Sequence, residues 1–478
     1  MSEEEIEIIS DDESPSNKEE KASKDTRENK QADVAPKKKF SVTRRDAVIG
    51  GGALVIGALA AGLGVNASKD GRTAEQIEED TDGEVVCNVQ RMVTEFRGER
   101  QAGMYDAQQN LYVCSYDILD GVNRDDIISL FKEWTKAAEN MCAGYPVIEP
   151  DALKYAAPKD TGEAYDLGAN ALTITFGVGA TFFEKKGKDR FGLKKIKPDN
   201  LIEKMRKFPG DALNDDECGG DLFIKCAAED PQVAFHALRN MTRIAYGIAT
   251  TRWTKNGFIR TYSPEGTAHA PRDLFGFRDG TSNPEHGNEE DDKLIEECVW
   301  IHADDPEGEI FENGTYMCWR SFDMLIDSWD EVRLDEQERV IGRTKLEGIP
   351  LSAVGQAGAD ETSEVDLSAT DENGDPLIDP RSHIATLRAY RNETGYVMYR
   401  WGWNFAHELD KTGTLHCGMH TGGYARDPEK HFYQFLDRFR DCDMTDYMRY
   451  TGSALWLILP GIKEGDSYVG QKMFEATE

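Results

Sequence analysis

The chain has few basic residues relative to its acidic ones, and it has no closely spaced cysteines. Its 478 residues include 56 Lys and Arg against 89 Asp and Glu, which gives a formal net charge of -33. Because a nucleic acid partner requires a basic surface to neutralise its phosphates, this balance argues against nucleic acid and favours either solubility or cationic partners. The nine cysteines include no Cys-x-x-Cys pair, which excludes the metal sites built on that spacing. Their apolar sequence contexts favour buried thiols.

The first 40 residues have almost no apolar side chains to bury, and a segment of this polar composition is expected to be disordered. The pair Arg44-Arg45 then precedes a glycine- and alanine-rich run, 47–67, which ends in small residues. This pattern predicts export by the twin-arginine translocase, to the periplasm, the exterior or a membrane-anchored position at the cell surface. The alternative is an uncleaved anchor, because these 21 weakly apolar residues just suffice to span a bilayer.

The rest of the chain alternates between strand and helix patterns. The predicted strands are 110–116, 172–178, the start of 221–244, and 413–418; the predicted helices are about 125–141, the remainder of 221–244, and 427–440. Residues 355–379 are rich in Asp, Glu, Gly, Ser and Thr and are expected to form a surface excursion. These elements indicate a globular chain of the mixed α and β class.

An acid, a histidine and an arginine stand out in the C-terminal half. Asp279 lies in the loop 276–284 (Gly-Phe-Arg-Asp-Gly-Thr-Ser-Asn-Pro), whose glycines and proline can expose a carboxylate. His383 follows a helix-start pattern at 379–382, and Arg400 lies in a strand pattern, 396–405. Taken singly, each has an ordinary explanation: a turn cap, an exposed imidazole and a solvated guanidinium.

Together, these segments resemble the dye-decolorizing peroxidase family, which also contains exported deferrochelatase/peroxidases. Supporting segments lie at 232–240, 314–316, 329–330, 336–343 and 450–455, so the resemblance spans roughly residues 87–465. It implies an α+β fold of two ferredoxin-like halves, of the dimeric α+β barrel type, with antiparallel sheets covered by helices and the heme in the C-terminal half. It also implies one heme b per subunit, held noncovalently because no Cys-x-x-Cys-His motif is present.

A short internal repeat supports the two halves. Asp230-Pro231 and Asp427-Pro428 each have the residue types of a helix start, and a phenylalanine follows each Asp at the same offset of five. A chance pair of helix starts is the alternative. The polar segment and the export signal account for residues 1–67. With the resemblance, the repeat predicts an N-terminal ferredoxin-like domain over 68–270 and a C-terminal ferredoxin-like, heme-binding domain over 271–478.

The resemblance also implies the roles of the three outstanding residues. His383 corresponds to the axial ligand of the heme iron. Asp279 is expected to take a proton from hydrogen peroxide and deliver it to the departing oxygen, and Arg400 to stabilise the negative charge that develops on oxygen. Because an ionised carboxylate does this work near mildly acidic pH, an acidic optimum is expected.

Three further residues are candidates for cofactor binding. Arg278 and Arg343 match the geometry of heme propionates, with ordinary ion pairing as the alternative. Asn404 shares the strand face of Arg400 and Gly402, where relatives often carry other polar residues, and is a further candidate for the pocket.

The leading functional hypothesis is an exported heme peroxidase that reduces hydrogen peroxide and oxidises organic or phenolic donors or dyes. The alternative is a heme or iron-acquisition protein, which releases iron from heme or carries heme. An α+β module without heme is a third interpretation. The presence of Asp279 and Arg400 favours the peroxidase, because a carrier needs a ligand but no proton shuttle. A homo-oligomer is compatible with each hypothesis.

Overall fold

The computed structural model describes residues 92–105, 107–148, 155–260, 270–409 and 413–477. The predicted disordered segment, the predicted export signal and Cys87 lie outside these residues. Among the helices of the described part, none combines the length and the apolar character that a membrane crossing requires.

Antiparallel strands form the framework of the fold. They are β1 (Asn110–Ile118), β2 (Thr173–Val178), β3 (Leu222–Ala228), β4 (Ala249–Phe258), β5 (Thr315–Met324), β6 (Tyr399–Leu409), β7 (Leu415–Ala425) and β8 (Met448–Ile458). They close into a barrel in the order β1-β3-β2-β8-β5-β7-β6-β4. Closure leaves none of these strands with an unpaired edge.

Helices cover the outside of the barrel. They are α1 (Arg124–Cys142), α2 (Ala180–Phe183), α3 (Pro231–Ile244), α4 (Glu289–Val299), α5 (Gly308–Phe311), α6 (Ile326–Asp330), α7 (Leu334–Ile341), α8 (His383–Thr394), α9 (Gln434–Arg438) and α10 (Gln471–Glu475). Short 3₁₀ turns occur at Ala102–Met104, Lys194–Ile196, Asp215–Glu217, Leu351–Ala353, Phe439–Asp441 and Asp443–Tyr447, and a π-helical turn at Glu429–Tyr433.

Each half of the barrel has the ferredoxin-like arrangement. In the first half, β1, α1, β2, β3, α3 and β4 follow one another, and the strands lie in the order β4-β1-β3-β2. The second half repeats this order as β8-β5-β7-β6. The predicted fold of two ferredoxin-like halves is therefore confirmed. Short pairings of β2 with β8 and of β4 with β6 join the two halves. The exact domain boundary at residue 270 stays a prediction.

The two Asp-Pro pairs of the internal repeat both start helical segments. The Asp230 carboxylate accepts hydrogen bonds from the backbone N–H groups of Gln232 and Val233 at 2.8 and 3.1 Å. Asp427 accepts one from Glu429 at 2.9 Å. The regular helix predicted for 427–440 is wrong in detail: it consists of a π-helical turn, α9 and a 3₁₀ turn. The predicted strand at 413–418 is the start of a longer strand that ends at Ala425.

Two cores result from the alternation of side chains along the strands. The barrel interior is filled by large aromatic residues, which include Phe223, Trp253, Trp319, Trp403 and Trp456. The outer faces of the strands pack against the helices. Eight described cysteines are free thiols, and all but Cys218 are buried, which confirms the predicted buried thiols for this part of the chain.

Candidate active site

Asp279 is presented by a β-hairpin that begins at Pro271. The Arg272–Arg278 bridge is antiparallel, and the backbone N–H of Asp279 donates to the carbonyl of Pro271 at 2.8 Å. Gly276 turns the chain with a φ of +88°, a conformation that glycine adopts without strain. The predicted glycine-punctuated loop is therefore a tight hairpin that fixes the direction of the carboxylate.

Asp279 and Arg400 form a two-pronged ion pair. One guanidinium nitrogen, Nη1, donates to Oδ2 of Asp279 at 3.2 Å, and Nη2 donates to Oδ1 in a second, shorter contact. The pair is largely enclosed, with 20% of the Arg400 side chain and 14% of the Asp279 side chain exposed. Burial by itself lowers the pKa of Arg400, but the adjacent carboxylate more than offsets this and raises it. Arg400 therefore carries a permanent positive charge beside Asp279.

Strand β6 determines the direction of Arg400. Its neighbours Tyr399 and Trp401 belong to the cluster inside the barrel, so Arg400 points to the outer face. The alternation predicted that Arg400 lies opposite to these aromatic residues, and the structure shows that arrangement. The backbone N–H of Arg400 donates to the Asn283 side-chain oxygen at 3.0 Å, which ties the strand to the loop that follows Asp279. A side chain at Gly402 would crowd this site, because a Cβ there would lie 3.2 Å from both Arg400 Nη1 and Asp279 Oδ2.

His383 is the first residue of α8, and Ser382 caps that helix. The buried Ser382 hydroxyl accepts the backbone N–H of Ala385 at 3.3 Å. The imidazole packs edge-on against Phe439, with ring centroids 5.4 Å apart. Its Nδ1 atom is buried and has no hydrogen-bond partner among the described residues.

The structure brings His383 into the electrostatic environment of Asp279 and Arg400. Burial, reinforced by the positive charge of Arg400, lowers the pKa of His383 to about 4, although Asp279 acts in the opposite direction. The imidazole is therefore neutral at physiological pH. A neutral imidazole is the form that ligates heme iron, so the donor chemistry of this residue fits the predicted cofactor.

Arg343 and Arg278 lie next to each other but differ in their partners. Arg343 is 4% exposed and donates through Nη1 to the carbonyls of Gly348 and Glu361, at 2.7 and 2.8 Å. Burial lowers the pKa of Arg343 to about 10. Arg278 instead forms an ion pair with the Glu361 carboxylate, with 3.1 Å between Nε and Oε2. Within the described residues only Nη1 of Arg343 has hydrogen-bond partners, which leaves its other guanidinium nitrogens to donate to a propionate, whereas Arg278 is engaged by a protein carboxylate.

Asn404 is buried and binds the hairpin. Its Nδ2 donates to the Arg272 carbonyl at 3.0 Å, and its Oδ1 is enclosed without a partner in the described part of the chain. Asn404 is thus a second point, besides the Asp279–Arg400 pair, at which the hairpin is fixed to β6. Sequence reasoning did not identify Asn283 or Glu361, although the Asn-Pro dipeptide after the glycine loop was a signal for the former.

The chain resembles known proteins over both halves. The N-terminal family model of Dyp-type peroxidases matches residues 101–259, and the C-terminal model matches residues 270–463. A deferrochelatase of Escherichia coli O157:H7 is 30% identical over 383 residues, which cover 79% of this chain and 86% of that protein. Ferric DtpA from Streptomyces lividans is 32% identical, with a TM-score of 0.72 over 82% of this chain and 100% of that chain. A DyP-type peroxidase from Streptomyces coelicolor, also 32% identical, has a TM-score of 0.71 over 81% of this chain and 98% of its own.

Proposed function

This chain belongs to the Dyp-type peroxidase family and is a heme peroxidase, and from that membership we propose that it is an exported enzyme that oxidises organic or phenolic donors or dyes with hydrogen peroxide. Solved members of the family are heme-containing peroxidases. The observation that carries the proposed site is the enclosed Asp279–Arg400 ion pair, whose charges act on the pKa of the neutral His383. Hydrogen peroxide and a reducing substrate are the reactants of this class of enzyme.

We propose that His383 holds a noncovalent heme b, one per subunit, with Arg343 binding a propionate. The heme, when bound, supplies the iron at which the peroxide oxygen–oxygen bond is broken. Asp279 accepts a proton from the peroxide on a carboxylate oxygen and returns it to the departing oxygen, which leaves as water. Arg400 stabilises the negative charge on that oxygen while the bond breaks. Asn404 holds the Asp279 hairpin against β6.

Export by the twin-arginine translocase is part of the proposal, supported by the sequence at 44–67. This pathway carries proteins that are already folded, which suits an enzyme that acquires its cofactor in the cytoplasm. Replacement of Arg44 and Arg45 by lysine should retain the protein in the cytoplasm, as measured by cell fractionation.

The absorption spectrum of the heme-loaded protein tests the assignment. His383→Ala should lose the axial ligand and the heme band, whereas Asp279→Asn should keep the heme but react with peroxide about 100-fold more slowly or worse, the range for a lost acid–base group. His416→Ala is the matched control, because this histidine pairs with Asp323 on another part of the surface. A heme band that persists in His383→Ala would contradict the ligand assignment.

A second candidate function is iron release from heme. The observation that favours it is the 30% identity to the E. coli protein named deferrochelatase. In the same experiment without peroxide, the appearance of iron-free porphyrin would support this function. Bound heme that reacts with peroxide and keeps its iron would exclude it.

A further inference from the structure

A second carboxyl group lies in the hairpin that carries Asp279. Asp273 occupies the first position of the turn, where its carbonyl accepts the N–H of Gly276 at 3.1 Å and its N–H donates to the carbonyl of Phe277 at 3.0 Å. With Gly276 in the left-handed conformation, this is a three-residue hairpin loop with a glycine bulge, and Asp is a favoured residue at its first position.

The hairpin places Asp273 and Asp279 on one face. The pairs Pro271–Asp279, Arg272–Arg278 and Asp273–Phe277 follow from the hydrogen bonds and the bridge between the two short segments. Since alternate residues of a strand share a face, Asp273 and Asp279 point to the same side, opposite to the arginines of the hairpin. They are diagonal neighbours, a relation that separates the residues by roughly 7–8 Å.

The Asp273 side chain also holds the turn itself. Its Oδ1 accepts the backbone N–H of Phe277 at 3.0 Å, two residues before Asp279. Phe277 is buried and packs against Trp329, whose indole N–H donates to the Phe275 carbonyl at 3.1 Å. The turn is therefore anchored on both sides, and a movement of Asp273 would be transmitted to Asp279 through two residues of backbone.

Three charged groups act on Asp273, and a fourth packs against the turn that carries it. Asp279 and Arg400 act on it from the hairpin and β6, and Arg272 lies beside it in the chain. Lys345 packs against the turn, with its Cε 2.9 Å from the position of a Cβ at Gly276. Burial and the Asp279 charge raise the pKa of Asp273 to about 7, against the smaller opposing effects of the Phe277 N–H and Arg400.

We propose that Asp273 is a positioning residue of the peroxide reaction. It fixes the hairpin that presents Asp279, and as long as its own carboxyl group carries a proton it adds no negative charge that competes with Asp279 for Arg400. The inference rests on the proposed function of Asp279 and Arg400. When Asp273 releases its proton to solvent, a second negative charge lies on the same face. That charge weakens the attraction of Arg400 for the anionic oxygen of the departing group.

The proposal predicts that the reaction with hydrogen peroxide becomes slower as the pH rises to neutral, and that this change depends on the carboxyl group of Asp273. In the holoenzyme, the rate constant for the reaction with hydrogen peroxide should fall about tenfold as the pH rises through the pKa of Asp273, the equivalent of about one pKa unit of interaction. Asp273→Asn retains an oxygen that accepts the Phe277 N–H but cannot ionise, so this fall should disappear. Asp371→Asn is the matched control, because Asp371 caps an exposed turn away from the site.

Two measurements on the same proteins do not depend on turnover. The difference between the infrared spectra of the wild type and Asp273→Asn should contain a protonated-carboxyl band at pH 5, and this band should be absent at pH 9.

Thermal unfolding measures the linked effect of the Asp273 proton on stability. Because folding raises the pKa of Asp273 above the ordinary carboxyl value of about 4, the proton on Asp273 stabilises the fold. This contribution is complete below about pH 4 and is lost as the pH rises to about 7. Asp273→Asn should therefore gain stability relative to the wild type between pH 5 and pH 8.

The outcomes separate this proposal from the proposed function. Asp273→Ala should lower the unfolding temperature at pH 5, because it removes the hydrogen bond to the Phe277 N–H while the carboxyl group carries no charge. An Asp273→Asn enzyme with an unchanged pH profile and an unchanged infrared titration would overturn the proposal, even if peroxide is turned over normally. A heme protein that does not react with peroxide but shows the infrared titration would retain the charge assignment and reject the function of Asp279.

Discussion

At the scale of single residues, the site depends on an absent side chain as much as on its charged groups. Gly402 lies between Arg400 and Asn404 on the outer face of β6, and a Cβ there would lie 2.7 Å from Sδ of Met419. The same Cβ would lie 3.2 Å from each partner of the Asp279–Arg400 pair. Since protein interiors are close-packed, even one methyl group at this position must displace a neighbour.

We expect Gly402→Ala to disturb the ion pair without unfolding the protein. Met419 can rotate, but the guanidinium and the carboxylate must also shift, and small misplacements in a catalytic group cost about 10- to 100-fold in rate. Stopped-flow measurement of the reaction with peroxide checks this. The control is Gly422→Ala on β7, where a Cβ also meets a methionine, Met317, at 3.2 Å but no charged group. Equal rates in the two variants would contradict the interpretation.

At the scale of elements, the position of His383 depends on where two helices meet. The segment after α7 turns at Gly342 with a φ of +89°, and a Cβ there would lie 2.1 Å from Cγ2 of Ile384 and 3.0 Å from Oγ of Ser382. Glycine is therefore required at this contact both for its conformation and for the lack of a side chain. The first turn of α8, with His383, is held by this contact and by the cap of Ser382.

Loss of that cap should affect stability and the cofactor together. We expect Ser382→Ala to destabilise the fold by about 1 kcal/mol, the typical effect of removing an N-cap, and to shift the heme absorption because the first turn of α8 loosens. Denaturant unfolding and the heme spectrum measure the two effects. Asp230→Ala removes the N-cap of α3 in the other half and should cost a similar free energy with an unchanged spectrum. A Ser382→Ala spectrum identical to the wild type would show that the cap does not position His383.

At the scale of the whole molecule, the closed barrel separates the site from the aromatic interior, and the net charge acts on what approaches it. The outer face of β6 carries Arg400, whereas its inner face carries Trp403 in a cluster of buried aromatic rings. A net charge of -33 produces a negative potential over the surface. This potential attracts cationic donors and repels anionic ones.

The rate of donor oxidation should therefore depend on salt in a direction set by the charge of the donor. For a cationic dye, we expect the second-order rate constant to fall by at least about tenfold between low and physiological ionic strength, because the screening length shortens. The rate for an anionic dye should rise, and that for a neutral phenol, the control, should stay constant. Steady-state oxidation at a series of salt concentrations measures this. A parallel change for all three donors would indicate an effect of salt on the enzyme instead of electrostatic steering.

Local patterns in the sequence were sufficient for the elements and for the types of residue in the site. Period-two alternation identified β1 and β2 within two residues, and the Asp-Pro pair identified the start of α3, because these signals depend on neighbouring residues alone. They failed where packing alters the local geometry, as in the π-helical turn at Glu429–Tyr433. The resemblance identified Asp279, His383 and Arg400, whose predicted roles await the variants described above.

By itself, the sequence determined the family, the mixed class of the fold, the excess of negative charge and the residues with the required chemistry. Only the tertiary structure decided which of these residues meet. It paired Arg278 with Glu361, it gave hydrogen-bond partners among the described residues to Nη1 of Arg343 but not to the other guanidinium nitrogens, and it placed Asp273 on the same face as Asp279. The physical reason is that an ion pair or a pKa depends on distance and burial. Those are set by contacts that local sequence patterns do not specify, and in the case of Asp279 and Arg400 the two residues are 121 positions apart.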